Sequence, residues 1–167
     1  MMHVDEYLRT SFDDADCEYL DGEIVERNAG EWTHAETMGT LCYLLAGLRH
    51  SLGIRVLSVI RIRISPTRYR VADVAVWRDD DIGTRIPKVP PFLAIEILSP
   101  KDRIIRMQPK IAEYLSIGVE WIWLIDPIEK SAISYSQRNP AGALTEMLRT
   151  ENPAIEIPLA KALDINS

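Results

Sequence analysis

The chain has 167 residues and a formal net charge of -6, with 47% hydrophobic and 26% charged residues. This length and composition fit one globular domain over residues 1–167 with a sizeable core. The acidic balance argues against a protein that coats nucleic acid non-specifically. Because no apolar run reaches the length of a membrane span, no membrane association is expected.

The cysteines and the amino-terminal residues indicate the cellular compartment of the protein. Cys17 and Cys42 lie far apart and form no metal-type or redox-type pair, so no disulfide framework is implied. The first six residues lack the basic and then apolar pattern of a signal peptide. The sequence therefore predicts a soluble protein of the reducing cytoplasm.

The first third of the chain predicts a short helix, a hairpin and a longer helix. The short helix covers residues 3–9, and the Asp-Gly pair inside residues 18–26 is a strong hairpin signal. Thr33 can cap a helix that begins at His34, since Glu36 completes a capping box. Apolar residues then recur at helical spacing, and a glycine lies just beyond the predicted end.

Residues 54–64 alternate in a way that predicts a half-buried strand. A turn over residues 66–69 then leads to residues 70–77, which we expect to return as the antiparallel partner. The predicted inward positions are Val56, Ser58, Ile60, Ile62 and Ile64, and the predicted outward arginines are Arg55, Arg61 and Arg63.

Residues 92–98 predict a strand that is covered on both faces, because the segment is apolar throughout apart from Glu96. Pro109 fits the first turn of a following helix, which we expect to run to about Ile117 and to end at Gly118. The order of elements up to this point is already that of an α/β protein.

The last third of the chain predicts strands. Residues 121–125 read as a buried strand, and residues 131–138 and 143–149 as a final, more exposed hairpin. From residue 34 the predicted order is helix-strand-strand-strand-helix-strand. This order indicates an α/β sandwich around a mixed sheet, with hairpin additions at both ends.

Two acidic residues stand inside neighbouring apolar strands, and a lysine follows. Burying the carboxylates of Asp73 and Glu96 costs several kcal/mol unless a charge or hydrogen bonds compensate, and two adjacent carboxylates also repel. A divalent cation with Lys110 beside it would resolve both problems. If the strands are adjacent and in register, both acids emerge at one point of the sheet.

Lys110 supports the same hypothesis. At the predicted start of its helix the dipole disfavours a cation by roughly 0.3–1 kcal/mol. It also shares a side of the helix with Tyr114 and Ile117. An ammonium there is easiest to understand if carboxylates or a phosphate lie opposite.

Each of the three residues also has an ordinary explanation. Asp73 could cap a strand end, Glu96 could pair with an arginine such as Arg70, and Lys110 could be solvated. Taken together, their order and spacing favour a site. The strand arginines could contact phosphates, although a solvated strand face is the commoner explanation.

In chain order, several segments together resemble the Uma-two family of restriction endonucleases, within the PD-(D/E)XK nuclease superfamily. The resemblance covers roughly residues 5–150. Its specific parts are Glu-Ile-Leu-Ser-Pro from Glu96 and Trp-Leu-Ile-Asp-Pro from Trp123. The other matching segments are Glu18 to Glu26, His34, Ala72 to Val76, Lys110 with Tyr114, and Gly118 to Ile122.

The resemblance implies a restriction-endonuclease-like core and a magnesium site. The metal ligands it implies are Asp73, Glu96 and the backbone carbonyl of Ile97, and Mn²⁺ is expected to substitute for Mg²⁺. The superfamily lysine usually stands two residues after the glutamate, where this chain has Leu98. Lys110 in the following helix is the implied replacement.

Two further residues are weaker candidates for the catalytic site, and two positions depart from the family pattern. Glu23 and His34 match family positions and are further candidate catalytic residues. From the residues alone, however, Glu23 looks like an exposed acid beside a turn and His34 like a structural histidine. Ala72 replaces a proline usual in the family. Arg106 stands where the family often has an aspartate, which puts catalytic activity in question.

Three functional hypotheses follow. The first is a magnesium-dependent endonuclease that hydrolyses DNA phosphodiester bonds, with a homodimer expected by analogy with nucleases that cut both strands. The second is a nuclease-fold module that binds nucleic acid or protein and has lost catalysis. The third is a metal-dependent hydrolase of another phosphate ester. Fold membership alone does not decide among them.

Overall fold

The computed structural model describes residues 1–12, 17–27, 31–81, 86–100 and 104–164. The helices are α1 (Val4–Arg9), α2 (Trp32–Ala46), α3 (Arg49–Leu52), α4 (Ile104–Ser116) and α5 (Leu159–Ala162). The strands are β1 (Glu18–Leu20), β2 (Glu23–Val25), β3 (Ile54–Ser65), β4 (Arg68–Arg78), β5 (Leu93–Ile97), β6 (Trp121–Asp126), β7 (Ser131–Ser136), β8 (Ala143–Leu144), β9 (Met147–Thr150) and β10 (Ile155–Pro158).

The main sheet is mixed and confirms the predicted fold class. Its strand order is β2-β1-β4-β5-β6-β7-β8, and β3 pairs with β4 beside this path. The β5–β6 pair is parallel and the other pairs are antiparallel. The order α2-β3-β4-β5-α4-β6 is the predicted helix-strand-strand-strand-helix-strand core. In the described ranges, no helix combines the length and the apolar character needed to cross a bilayer.

Two buried clusters lie on opposite faces of this sheet. The first cluster contains Leu41 and Leu45 of α2 together with Val74, Val76 and side chains from β9, β10 and α5. The second cluster contains Ile111 and Tyr114 of α4 with Ala75, Trp77 and Ala94. Strands β4 and β5 are therefore covered by α2 on one face and by α4 on the other, as their apolar sequences predict.

The alternation of β3 differs from the prediction at its middle. Ile54 and Val56 pack against the first cluster, whereas Ile60 and Ile62 pack against the second, although all four positions are even. Between them Val59 adopts a φ of 49°, in the left-handed region that a β-branched residue rarely occupies. The alternation reverses at this residue, so the prediction of one inward face from residue 56 to residue 64 is wrong.

The side chains of β4 also switch faces of the sheet, at the position opposite Val59. Ala72 packs in the second cluster and Val74 in the first, although both positions are even. Asp73 lies between them. Ladder pairs join Ser58 to Val74 and Ile60 to Ala72, so Asp73 stands opposite Val59 in the register. We call this level of the two strands the crossover point.

One of the predicted outward arginines is packed inside the structure. The guanidinium of Arg61 lies 4.4 Å from the centre of the Tyr7 ring. It donates hydrogen bonds of 3.1 Å to the carbonyls of Tyr7 and Thr10. Arg61 therefore ties α1 to the sheet and is not part of a solvated stripe.

The two long helices begin earlier than predicted. Helix α2 is preceded by Glu31 at the N-cap, and Thr33 lies inside the helix. Helix α4 includes residues from Ile104 onward, so Pro109 is an interior residue and not part of the first turn. Lys110 is the seventh residue of the α4 helix, and the predicted conflict with the helix dipole does not arise.

The carboxyl-terminal strands are also more complex than predicted. Strand β7 pairs with β8, but Met147–Thr150 pairs with Ile155–Pro158 in a separate two-stranded sheet. Leu148, Ile155 and Ile157 of this second sheet are buried in the first cluster. The predicted hairpin is therefore right for the β7–β8 pairing and wrong for residues 147–149, and β7 is half-buried and not exposed.

Candidate active site

One edge of β4 is interrupted, and this interruption creates the site. On this edge Arg68 and Tyr69 pair with β1, and the pairing with β5 begins only at Val74. In the gap, side chains replace the missing strand. The N–H of Val71 donates to Glu18 Oε1 (3.1 Å), and its carbonyl accepts from Lys110 Nζ (2.7 Å). Both buried backbone groups of Val71 are thus satisfied by charged side chains.

Asp73 and Glu96 meet at the end of this gap. The β4–β5 ladder ends with the pair Val74–Ile95, so Asp73 and Glu96 are the next positions in the register. Both residues are only 2% exposed. The predicted condition, adjacent strands in a suitable register, is therefore met.

Asp73 is held by three donors. His34 Nε2 at the start of α2 lies 3.3 Å from Oδ2, the Ile97 N–H donates to Oδ2 at 2.8 Å, and the guanidinium of Arg27 binds Oδ1. Burial raises the pKa of Asp73, but the His34 hydrogen bond and the Arg27 charge outweigh it and leave the pKa below its ordinary value. Asp73 is therefore a carboxylate.

Glu96 is held from the opposite face, by α4. Lys110 Nζ lies 2.9 Å from its Oε2, and the Tyr114 hydroxyl donates to its Oε1 at 2.8 Å. Burial, assisted by repulsion from Asp73, raises the pKa of Glu96 to about 7 against the opposing charge of Lys110. Glu96 is therefore poised between its two protonation states near neutral pH, while Asp73 is not.

Lys110 connects the parts of the site. Its ammonium has three N–H donors, and three acceptors surround it: the Val71 carbonyl at 2.7 Å, Glu96 at 2.9 Å and Glu18 at 2.9 Å. Burial lowers the pKa of Lys110, but Glu96 and Glu18 outweigh this and raise it above the ordinary value. Lys110 is therefore a fixed cation, and the ordinary explanation that it is solvated is wrong.

Glu18 was not singled out from the sequence. It is 6% exposed, and its Oε2 accepts from Arg70 Nη1 at 2.7 Å. Arg70 also donates to Glu113 at 2.6 Å, so it does not pair with Glu96 as the ordinary explanation supposed. Burial raises the pKa of Glu18, but Lys110 and Arg70 outweigh it and lower the pKa. The sequence feature that could have identified Glu18 is its place between Cys17 and Tyr19, two residues that are buried in the structure.

These side chains open into one cavity of about 330 Å³. Its lining includes the predicted residues Asp73, Glu96, Ile97, Lys110 and His34, together with Glu18, Glu26, Arg27, Arg70, Ser99, Arg106 and Met107. Glu23 is not among them. It is exposed and lines a separate surface cavity with Met1 and Met2, so the structure does not bring this candidate to the others.

The donor set fits a hard divalent cation. Two carboxylates with the neighbouring carbonyl of Ile97 supply the oxygen ligands that Mg²⁺ prefers, and waters usually complete such a site. Asp73 Oδ1 already binds a cationic group, the guanidinium of Arg27. Among the described residues no group of three or more His, Cys, Asp or Glu side chains is arranged to hold a metal. A metal bound here would therefore rely on two acidic side chains, Asp73 and Glu96.

Comparison with known proteins agrees with this fold. A crystal structure described as "a putative nuclease belonging to DUF820", from Anabaena variabilis, matches with a TM-score of 0.83 and 19% identity, and the match covers 98% of each chain. A search of curated proteins gave no match. The family model described as "Uma2: Putative restriction endonuclease" matches residues 4–165. Since this match spans nearly the whole chain, the protein belongs to the Uma2 family.

Proposed function

We propose that this protein is a metal-dependent endonuclease that hydrolyses phosphodiester bonds of DNA. The observation that carries the proposal is the convergence of Asp73, Glu96 and Lys110 on one cavity at the break in the sheet. The two carboxylates can bind a metal cation, and the ammonium of Lys110 can bind a phosphate. Membership of a family described as restriction endonucleases supports the same reaction class.

The residues that would hold Mg²⁺, or Mn²⁺ in its place, are Asp73, Glu96 and the carbonyl of Ile97. When bound, the cation would polarise the scissile phosphate and lower the pKa of the attacking water. The protein orients its own ligands beforehand. His34 and the Ile97 N–H fix Asp73, and Tyr114 fixes Glu96.

Lys110 acts as a charged donor and not as a base, since its neighbours keep it protonated. In the transition state its ammonium balances the charge that develops on the phosphate oxygens and orients the attacking water. To do so it exchanges one of its three present acceptors for the water or the phosphate. Glu18 and the Val71 carbonyl hold the ammonium in place during this exchange.

The first test is Glu96→Gln, which keeps the shape of the side chain and removes its charge. We expect cleavage of duplex DNA in the presence of Mg²⁺ or Mn²⁺ to fall by a factor of 10² or more, roughly the loss seen when electrostatic stabilisation is removed elsewhere. Glu156→Gln is the matched control, because Glu156 lies on the exposed hairpin and its side chain is 64% exposed. Equal cleavage by the Glu96 variant and the parent would remove this assignment.

A second candidate function is a module that binds nucleic acid or protein without catalysis. Arg106, which replaces the family's usual aspartate, lines the cavity and adds positive charge beside Lys110. Calorimetric titration with Mn²⁺ separates the two functions. An active site requires binding that Asp73→Asn abolishes, and a module without catalysis shows no such binding.

Substrate and assembly form the finer part of the proposal. Comparing duplex DNA, single strands, RNA and small phosphodiesters tests the preference for DNA over other phosphate esters. We also propose a homodimer, because cutting two strands of a duplex is simplest with two copies of the site. Light scattering of the purified protein, with and without duplex DNA, measures this.

A further inference from the structure

Arg27 is the cationic residue of the cavity that the sequence did not reveal. Its side chain is 18% exposed, and its guanidinium binds Asp73 Oδ1. Among the described residues Asp73 is its one hydrogen-bond partner. Glu96 and Glu18 lie close enough to act on it through their charge.

The contact occupies the oxygen atom that a metal would need. Asp73 Oδ2 already accepts from Ile97 and lies against His34, so Oδ1 is the oxygen that faces a cation. A magnesium ion must approach a carboxylate oxygen to about 2.1 Å. Two cations cannot share Oδ1 at such distances without strong repulsion, so the guanidinium and the metal exclude each other there.

The other two buried cations are tied more firmly. Arg70 binds two carboxylates, Glu18 at 2.7 Å and Glu113 at 2.6 Å. Lys110 has three acceptors. Within the described part of the chain Arg27 binds a single carboxylate, and it lines the cavity, so it is the cation that an incoming metal can displace.

We infer that Arg27 is an exchangeable counter-ion, which leaves Asp73 when the metal binds and then pairs with the phosphodiester of the substrate. Guanidinium groups bind phosphate in a bidentate manner and do not lose their charge, which suits both positions. Metal and substrate would then bind cooperatively, because the phosphate supplies the partner that the displaced guanidinium needs. This inference rests on the proposed function and names a further substrate-binding residue.

The first experiment titrates Mn²⁺ into the parent, Arg27→Gln and Arg106→Gln by calorimetry, without DNA. We expect Arg27→Gln to bind Mn²⁺ about tenfold more tightly than the parent, which corresponds to about 1.4 kcal/mol. Arg106→Gln is the matched control, because it removes one positive charge from the same cavity without touching Asp73, and we expect a change of less than about twofold. Equal changes in both variants would overturn the inference.

A second measurement uses the parent protein and does not depend on how the variants fold. In protein labelled with ¹⁵N-arginine, we expect Mg²⁺ to move the Arg27 Nε–H resonance. The Arg70 resonance should stay, since Glu18 and Glu113 hold that side chain. An unmoved Arg27 resonance under saturating Mg²⁺ would contradict the displacement.

The third measurement tests the phosphate position. Fluorescence anisotropy with a short DNA duplex and Ca²⁺ should show about tenfold weaker binding for Arg27→Gln and a smaller loss for Arg27→Lys, which keeps the charge but not the bidentate geometry. Unchanged DNA binding by Arg27→Gln would exclude the phosphate contact. If no variant and no parent binds Mn²⁺, the proposed function fails together with this inference. If all bind Mn²⁺ equally, only the inference fails.

Discussion

Two ion pairs of this protein have nearly the same length in opposite surroundings. Arg149 and Glu156 face each other across the β9–β10 hairpin, with their atoms 3.0 Å apart and side chains 63% and 64% exposed. Lys110 and Glu96 lie 2.9 Å apart, with side chains 10% and 3% exposed. Only the second pair is isolated from water, shares its charges with a third residue, and borders a cavity.

This difference teaches that contact distance does not measure energetic importance. In water the hairpin charges gain little from each other and lose side-chain entropy when they pair. The buried charges have given up hydration, so each depends on its partner. The costly pair borders the cavity, and the inexpensive pair lies on an exposed hairpin.

Lys110→Met tests the buried side of this comparison and has the largest expected effect. The variant leaves the carboxylates of Glu96 and Glu18 without their shared cation. We expect the free energy of unfolding in urea at pH 8 to fall by about 3–5 kcal/mol. At pH 6 the loss should be smaller, because Glu96 can take up a proton. A loss below about 1 kcal/mol at pH 8 would show that water screens the pair.

The pH dependence of stability sharpens the comparison further. The pKa of Glu96 is raised from 4.5 to about 7 in the folded protein, so between these values the folded state holds more protons than the unfolded state. In metal-free buffer the parent should therefore lose stability between pH 4.5 and 7.5 by up to about 3 kcal/mol relative to Glu96→Gln. Parallel stability profiles of parent and variant would contradict the raised pKa.

Arg149→Gln tests the exposed side and has the smallest expected effect. Because the Arg149–Glu156 pair is solvated, we expect the free energy of unfolding to change by about 0.5 kcal/mol or less, and 0.5 M salt should erase the difference. The measurement is the same urea titration. A loss comparable with that of Lys110→Met would mean that burial does not separate the two pairs.

The core order of the fold was predictable because its strands and helices carry clear apolar patterns. Regular alternation failed at Val59, where a left-handed backbone moves the following side chains to the other face. A valine gives no hint of this conformation, since glycine is the usual residue for it. Helix starts also failed, because Thr33 and Pro109 have local preferences that tertiary packing overrides.

Asp73, Glu96 and Lys110 do lie together, as predicted. They could be identified from the sequence because each stands out against apolar neighbours. Their roles as metal ligands and as the water-orienting cation remain predictions. Arg27 was missed because its sequence neighbours are polar, and Glu18 was missed because the apolar segment around it, from Cys17 to Leu20, is short. Only the pairing of β1 beside the gap in β4 brings Glu18 under Lys110.

The crossover point at Val59 and Asp73 has a consequence for how this scaffold can diversify. Here β4 has no partner strand on one edge between Tyr69 and Val74, and the cavity opens at that break beside Asp73. The opening is thus a property of the backbone and not of any one side chain. Residues at its rim, such as Arg106 and Met107, can then vary to admit different ligands while the acids beneath stay in place.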